Sequence, residues 1–244
     1  MDRLAAGVRA LQATWPTLTP KARADALRAI GDAVLVGADV PPLLGITVTA
    51  LKAFTASFDY RTWKIELLRE LVVGTALDDV AAVNLADALA HELRHAEQQF
   101  LVARSLAAQG LNADEIRGAL NGLEPTVSVR AVAMRSAGLD PAQVALAARM
   151  EPSLLANREI TRRLDADNGL APMAASRARA VAVVAGLRAR PPRATLAEGR
   201  AACRDLLERI DHVLTNYRLY RQFAGERDAH EVGAGASLAF EAQS

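Results

Sequence analysis

His91-Glu92-Leu93-Arg94-His95 sets two of the chain's four histidines four residues apart, with a glutamate directly after the first. On an α-helix this spacing stacks both imidazoles on one face, where they can hold a Zn²⁺ ion between them. Glu92 then points to the adjacent side, where its carboxylate can take a proton from a water held by the metal. The chemistry suggested is metal-assisted hydrolysis with Glu92 as general base. The competing reading is a pair of core histidines satisfied by hydrogen bonds. The surroundings must therefore supply a helix and a further ligand.

The helix is legible. From about Asp79 to Gln109 there is neither proline nor glycine, and Gly110 provides a C-terminal stop. Leu85, Leu89, Leu93, Ala96, Phe100 and Ala103 form its core stripe, and His91 and His95 fall beside that stripe with Ala88, Gln98 and Val102. Arg94 points away from the histidine face and reads as an ion-pair former, with Asp228 as a partner.

A catalytic zinc site expects three protein ligands and an open position for water. The extended metzincin pattern is absent, because Gln98 and Leu101 stand where its glycine and third histidine would be. The third ligand must come from His212, His230 or one of many carboxylates. The segment from Tyr217 to His230 is the strongest region, since it combines two tyrosines, two acids and a histidine. Glu226 and His230 are four apart and share a face if the stretch is helical. Asp228 lies on another side, where it can orient a ligating histidine or meet an arginine. The alternative is an ordinary helix start with Glu226 as a first-turn acid.

HELRH followed much later by ERDAH resembles the glutamate-type (gluzincin-like) HExxH zinc metallopeptidases. The resemblance implies Zn²⁺ as cofactor, with His91 and His95 as histidine ligands, Glu92 as general base and Glu226 as third ligand. Asp228 and Ala229 match the acid and small residue beside that glutamate, and Trp63–Leu67 resembles the strand that precedes the active helix. His230 departs from the family pattern: it either replaces Glu226 as ligand or serves near the open position. Tyr217, Tyr220 and His230 are candidates to stabilise the oxyanion. The texture around HELRHAEQQFLVARSLAAQG and YRLYRQFAGERDAHEVG also resembles HExxH domains of bacterial toxins and of contractile injection system cargo. That second resemblance implies an effector delivered by secretion or injection machinery. The expected substrate is a protein or peptide. The rival readings are a nonenzymatic helical interaction module, an inactive peptidase-like scaffold, and a metal hydrolase acting on another bond.

The elements that must position these residues follow from composition and local signals. Alanine and leucine dominate the apolar share of the 244 residues and only ten are aromatic, which favours a mainly α (α+β) fold. Thr19-Pro20 reads as a cap and first helical position, with Ala24, Leu27, Ile30 and Val34 as the apolar stripe. Ile46, Val48 and Ala50 alternate with threonines, and Trp63, Ile65 and Leu67 alternate with Lys64 and Glu66. A small strand pair is expected just upstream of the motif helix, with a turn at Asp59-Tyr60-Arg61. Asn112 with Glu115, and Asp140-Pro141 with Gln143, each open a helix. Asn168-Gly169-Leu170 and Pro172 mark a break, the arginines of 188–194 read as a solvated linker, and Thr195 with Glu198 opens a long helix. One metallopeptidase-like domain is expected over 1–244, with a helical insertion at 111–190 and a loosely held tail over 235–244.

Net charge is +1 with acids and bases interleaved, so nucleic acid is a poor candidate partner. The lone Cys203 excludes an intrachain disulfide framework. Asp39, Pro41, Pro42 and Lys52 interrupt the longest apolar region, so no membrane span is expected. Asp2, Arg3 and Arg9 interrupt any signal-peptide core. Synthesis in the cytoplasm is the default expectation, and export without a cleavable signal is compatible with it.

Overall fold

The computed structural model describes residues 2–50, 55–151 and 224–242. It opens with helix α1 (Asp2–Thr14) and a 3₁₀ turn at Trp15–Thr17, followed by α2 (Pro20–Gly37). The Thr19 hydroxyl accepts from the Ala22 amide at 3.2 Å and Pro20 takes the first helical position, so the expected start is present. The buried face of α2 is Arg23, Ala24, Leu27, Gly31 and Leu35, rotated slightly from the expected stripe. Arg23 is tolerated inside because its guanidinium donates to the carbonyls of Trp15, Val72 and Gly74. It ties α2 to the segment leading into the motif helix.

Strands β1 (Gly45–Thr49), β2 (Ala56–Asp59) and β3 (Lys64–Leu68) form one sheet in the order β1-β3-β2. β3 pairs parallel to β1, with Ile46 opposite Ile65, and antiparallel to β2, with Phe58 opposite Ile65. The sheet therefore has three strands where two are expected. Ala56-Ser57-Phe58-Asp59 escapes sequence reading because its alternation runs over only four residues, one of them a small alanine. The expected turn does follow it: Asp59 accepts from the Arg61 amide at 3.0 Å and the Thr62 hydroxyl at 2.8 Å. Trp63 sits outside β3 at φ 54°, fully buried, with its indole N–H on the Pro41 carbonyl at 3.2 Å.

After the short α3 (Arg69–Val73) comes α4 (Asp79–Ala108), which carries the motif. Asp78 accepts from the Ala81 amide at 2.8 Å to start it, and Gly110, at φ 102°, ends it. All six expected stripe residues are buried. Full burial of a leucine or phenylalanine contributes about 1.5–3 kcal/mol, so Leu85, Leu89, Leu93 and Phe100 together fix the rotation of α4. That rotation decides where the histidines point.

Helices α5 (Ala113–Ala119) and α6 (Pro125–Ala133) follow, and residues 141–151 form α7. Asn112 and Glu115 make a reciprocal capping box, and Asp140 and Gln143 exchange backbone and side-chain bonds in the same way. The final described element is α8 (Ala224–Glu241), which packs along α4 and against α1.

Two boundaries differ from expectation. Ile116, Leu120, Leu123, Val127 and Ala131 join the main hydrophobic core, so the first part of the expected 111–190 insertion belongs with the motif helix. The chain divides instead into Met1–Leu154 with Ala224–Ser244, and Leu155–Phe223. The second unit lies outside the described residues, as do the expected break at 168–172, the linker at 188–194 and the helix expected after Thr195. The tail expected to be loose from 235 is helical through Glu241. Ala236 and Phe240 are fully buried there, and the Arg9 guanidinium lies 3.8 Å over the Phe240 ring. Small residues let the helix approach closely, and one aromatic anchors its end. Among the described residues no helix is long and apolar enough to cross a membrane.

Candidate metal centre

One turn of α4 presents His91 and His95 on the face that meets α8, and the first turn of α8 brings Glu226 to them. His91 Nε2 and His95 Nε2 are 3.1 Å apart, and Glu226 Oε2 lies 3.6 Å from the first and 3.5 Å from the second. Three atoms at these separations have a common point about 2.0 Å from each, which matches ordinary metal–nitrogen and metal–carboxylate distances for a small transition-metal ion. Calcium, at about 2.3–2.6 Å and with oxygen ligands, suits neither the spacing nor the imidazoles. Among the described residues this is one group of three whose potential ligand atoms lie within 4.8 Å of one another. Glu226 keeps 2% of its side-chain surface exposed, against 14% for His91 and 13% for His95, so the solvent side of the group is the histidine side.

Glu92 is buried on the adjacent side of α4, and its carboxylate faces the backbone amide of Phe58 in β2. Burial raises its pKa most; His95 and His91 pull it down, Glu226 pushes it up, and the Phe58 amide lowers it, for a net rise. Burial opposes the His95 imidazolium, but Glu226 and Glu92, with Gln98, outweigh that and push its pKa up to about 9. His95 and Glu226 thus attract one another strongly when only protein groups surround them.

This coupling has a pH signature. The folded pKa of His95 lies above its ordinary 6.5, so its contribution to stability is fully present below about pH 6.5 and lost as pH rises through about 9. A zinc ion held by this group would compete with the same proton, so its affinity should climb across that window. Chelator-treated protein is expected to lose melting temperature between pH 6.5 and 9 while the zinc-induced rise in melting temperature widens, measured by calorimetry at matched ionic strength. A zinc-induced shift that is flat or shrinks with pH would contradict the coupling.

Behind the histidines lies a polar network. Gln98 Oε1 is 3.1 Å from His95 Nδ1, while Gln98 Nε2 donates to Gly225 O at 3.0 Å and to Asp228 Oδ2 at 2.8 Å. Arg94 donates through Nε to Asp228 and through Nη1 to Glu97, both at 2.6 Å. The expected Arg94–Asp228 pair is therefore present and joins α4 to α8. Burial works against the Asp228 carboxylate, but hydrogen bonds from Arg94 and Gln98 outweigh it and hold its pKa below the ordinary value. His230, one turn beyond Glu226, packs its ring against His91 with centroids 4.4 Å apart and the planes inclined at 57°. It is Glu226 that reaches both imidazole nitrogens. Tyr217, Tyr220 and His212 lie outside the described residues.

Gln98 and Phe58 are residues whose part in the site escapes sequence reading. Gln98 does carry a signal, since it sits three residues beyond His95 on the same helical face. Gly233 is a third. A Cβ there would fall 2.4 Å from Asp87 Oδ1 and 3.1 Å from the Asp87 carbonyl oxygen, so glycine permits the close approach of α8 to α4. In Gly233→Ala the wedge, worth about 1–3 kcal/mol, is expected to outweigh the roughly 1 kcal/mol that alanine gains in a helix interior. Zinc affinity should fall with stability, read by competition titration and thermal melting. Parent-like zinc affinity would show that this contact does not set the ligand spacing.

Comparison with known protein families, curated proteins and solved structures gives no match.

Proposed function

We propose that this chain is a zinc-dependent hydrolase acting on peptide bonds, with His91, His95 and Glu226 as metal ligands and Glu92 as general base. One observation carries the reading: two imidazoles and a carboxylate converge at metal-binding distances, and a buried glutamate stands beside them on the same helix. When bound, zinc supplies Lewis acidity, acidifying a water and polarising a carbonyl. Glu92 accepts the proton at its carboxylate, whose basicity burial increases, and can return it to the leaving amine. To His230, whose ring packs against His91, we assign the task of meeting negative charge that develops on the substrate oxygen. Tyr217 and Tyr220 stay candidates for the same task. Two features support peptide as the substrate class: the sequence resemblance, and β2, which lies at an edge of the sheet. Such an edge can hold an extended chain by main-chain pairing.

The test is zinc-loaded protein against a panel of unstructured proteins, peptides and simple esters, with and without chelator. Peptide cleavage that chelator abolishes and zinc restores is the expected result. Zinc binding without hydrolysis of any member favours an interaction module, and ester cleavage without peptide cleavage favours a different scissile bond.

A further inference from the structure

Gln98 is 1% exposed, and a buried amide must find partners for two N–H donors and a carbonyl oxygen or forfeit about 1–3 kcal/mol. Its two donors are assigned by their surroundings. The neighbours of Nε2 are the Gly225 carbonyl and the Asp228 carboxylate, which can only accept, and Asp228 is held ionised by Arg94. The amide nitrogen must therefore face α8, which leaves Oε1 facing His95 Nδ1 at 3.1 Å. A carbonyl oxygen can only accept, so His95 Nδ1 must carry a proton. In neutral His95 the lone pair then resides on Nε2, the atom 3.1 Å from His91 Nε2 and 3.5 Å from Glu226 Oε2. The same amide grips Gly225 and Asp228, which bracket Glu226 in sequence.

We propose that Gln98 is the positioning residue of the metal centre, fixing the His95 tautomer and the placement of Glu226 through one buried amide. The proposal rests on the metal-site reading. It also sets the character of the site. A carboxylate in this position would draw on the Nδ1 proton and make His95 a more basic ligand, whereas a neutral amide orients the ring without that donation. His95 coupled to Gln98 thus leaves more of the metal's charge available to polarise what it binds.

The experiment combines zinc competition titration with ¹⁵N–¹H NMR of the histidine rings in the full-length protein. Gln98→Met keeps side-chain length and removes both polar functions. It should weaken zinc binding by about 10–100-fold and remove the protected His95 Nδ1–H signal. Gln98→Glu keeps an acceptor toward His95 Nδ1 but sets a carboxylate oxygen, which cannot donate, against the Gly225 carbonyl and the Asp228 carboxylate. That variant should keep the protected Nδ1–H signal while zinc affinity still falls, a split that a simple packing role does not predict. In chelator-treated parent, at alkaline pH where the ring is neutral, the contact with Gln98 should make it the Nδ1–H tautomer. An Nε2–H tautomer in the parent overturns the proposal, as does Gln98→Met with parent-like zinc affinity and an unchanged Nδ1–H signal. A parent that binds no zinc yet shows the Nδ1–H tautomer overturns the metal reading instead, and the two failures are thereby separable.

Discussion

Glu92→Gln is expected to bind zinc like the parent and melt within a few degrees of it, while hydrolysis falls by about 10²–10⁴-fold, the usual contribution of a positioned general base. The substitution keeps the shape of a side chain that is 7% exposed and removes only its ability to take a proton. None of the three convergent ligand atoms belongs to Glu92, so the metal set is untouched. Burial is the largest influence on the Glu92 carboxylate and disfavours its charge, which offsets the lost attraction to the two histidines, so zinc-free protein should stay close to the parent in stability. Initial rates on whichever substrate the parent cleaves, with zinc content measured on the same samples, decide the matter. Full activity in zinc-loaded Glu92→Gln would remove Glu92 from the mechanism.

Glu226→Ala is expected to weaken zinc binding by more than about 100-fold, well beyond the effect of His230→Ala. The proposed direct coordination is lost in the first case, whereas the His230 ring packs against His91 and does not belong to the convergent group. The variant also leaves His95 without the carboxylate that raises its pKa, so the ring should titrate nearer its ordinary value. Competition titration of both variants, with circular dichroism to verify folding, distinguishes the roles. If His230→Ala loses zinc and Glu226→Ala does not, His230 is the ligand.

The contrast between α4 and α8 explains how far the sequence is legible. α4 announces itself locally, through thirty residues without proline or glycine, an Asp78 cap and a leucine stripe that places His91 and His95 beside the core. Capping signals at Thr19, Asn112 and Asp140 are equally local and reappear in the structure. Glu226 is reached through a resemblance, because no local pattern says which distant carboxylate faces a given pair of histidines. Its approach depends on Gly233 against Asp87 and on Gln98 gripping Gly225, contacts spanning more than a hundred residues of chain. β2 escapes because its pairing with β3, rather than its own composition, makes it a strand. The helical end of α8 escapes for a related reason: Ala236 and Phe240 gain their value only where α1 and α4 receive them.

The most direct test of the metal centre is anomalous diffraction at the zinc edge from crystals of the zinc-loaded protein. One peak per chain is expected, about 2 Å from His91 Nε2, His95 Nε2 and a Glu226 carboxylate oxygen. Saturating zinc with no peak among those three side chains, or a peak held by other ligands, would contradict that coordination.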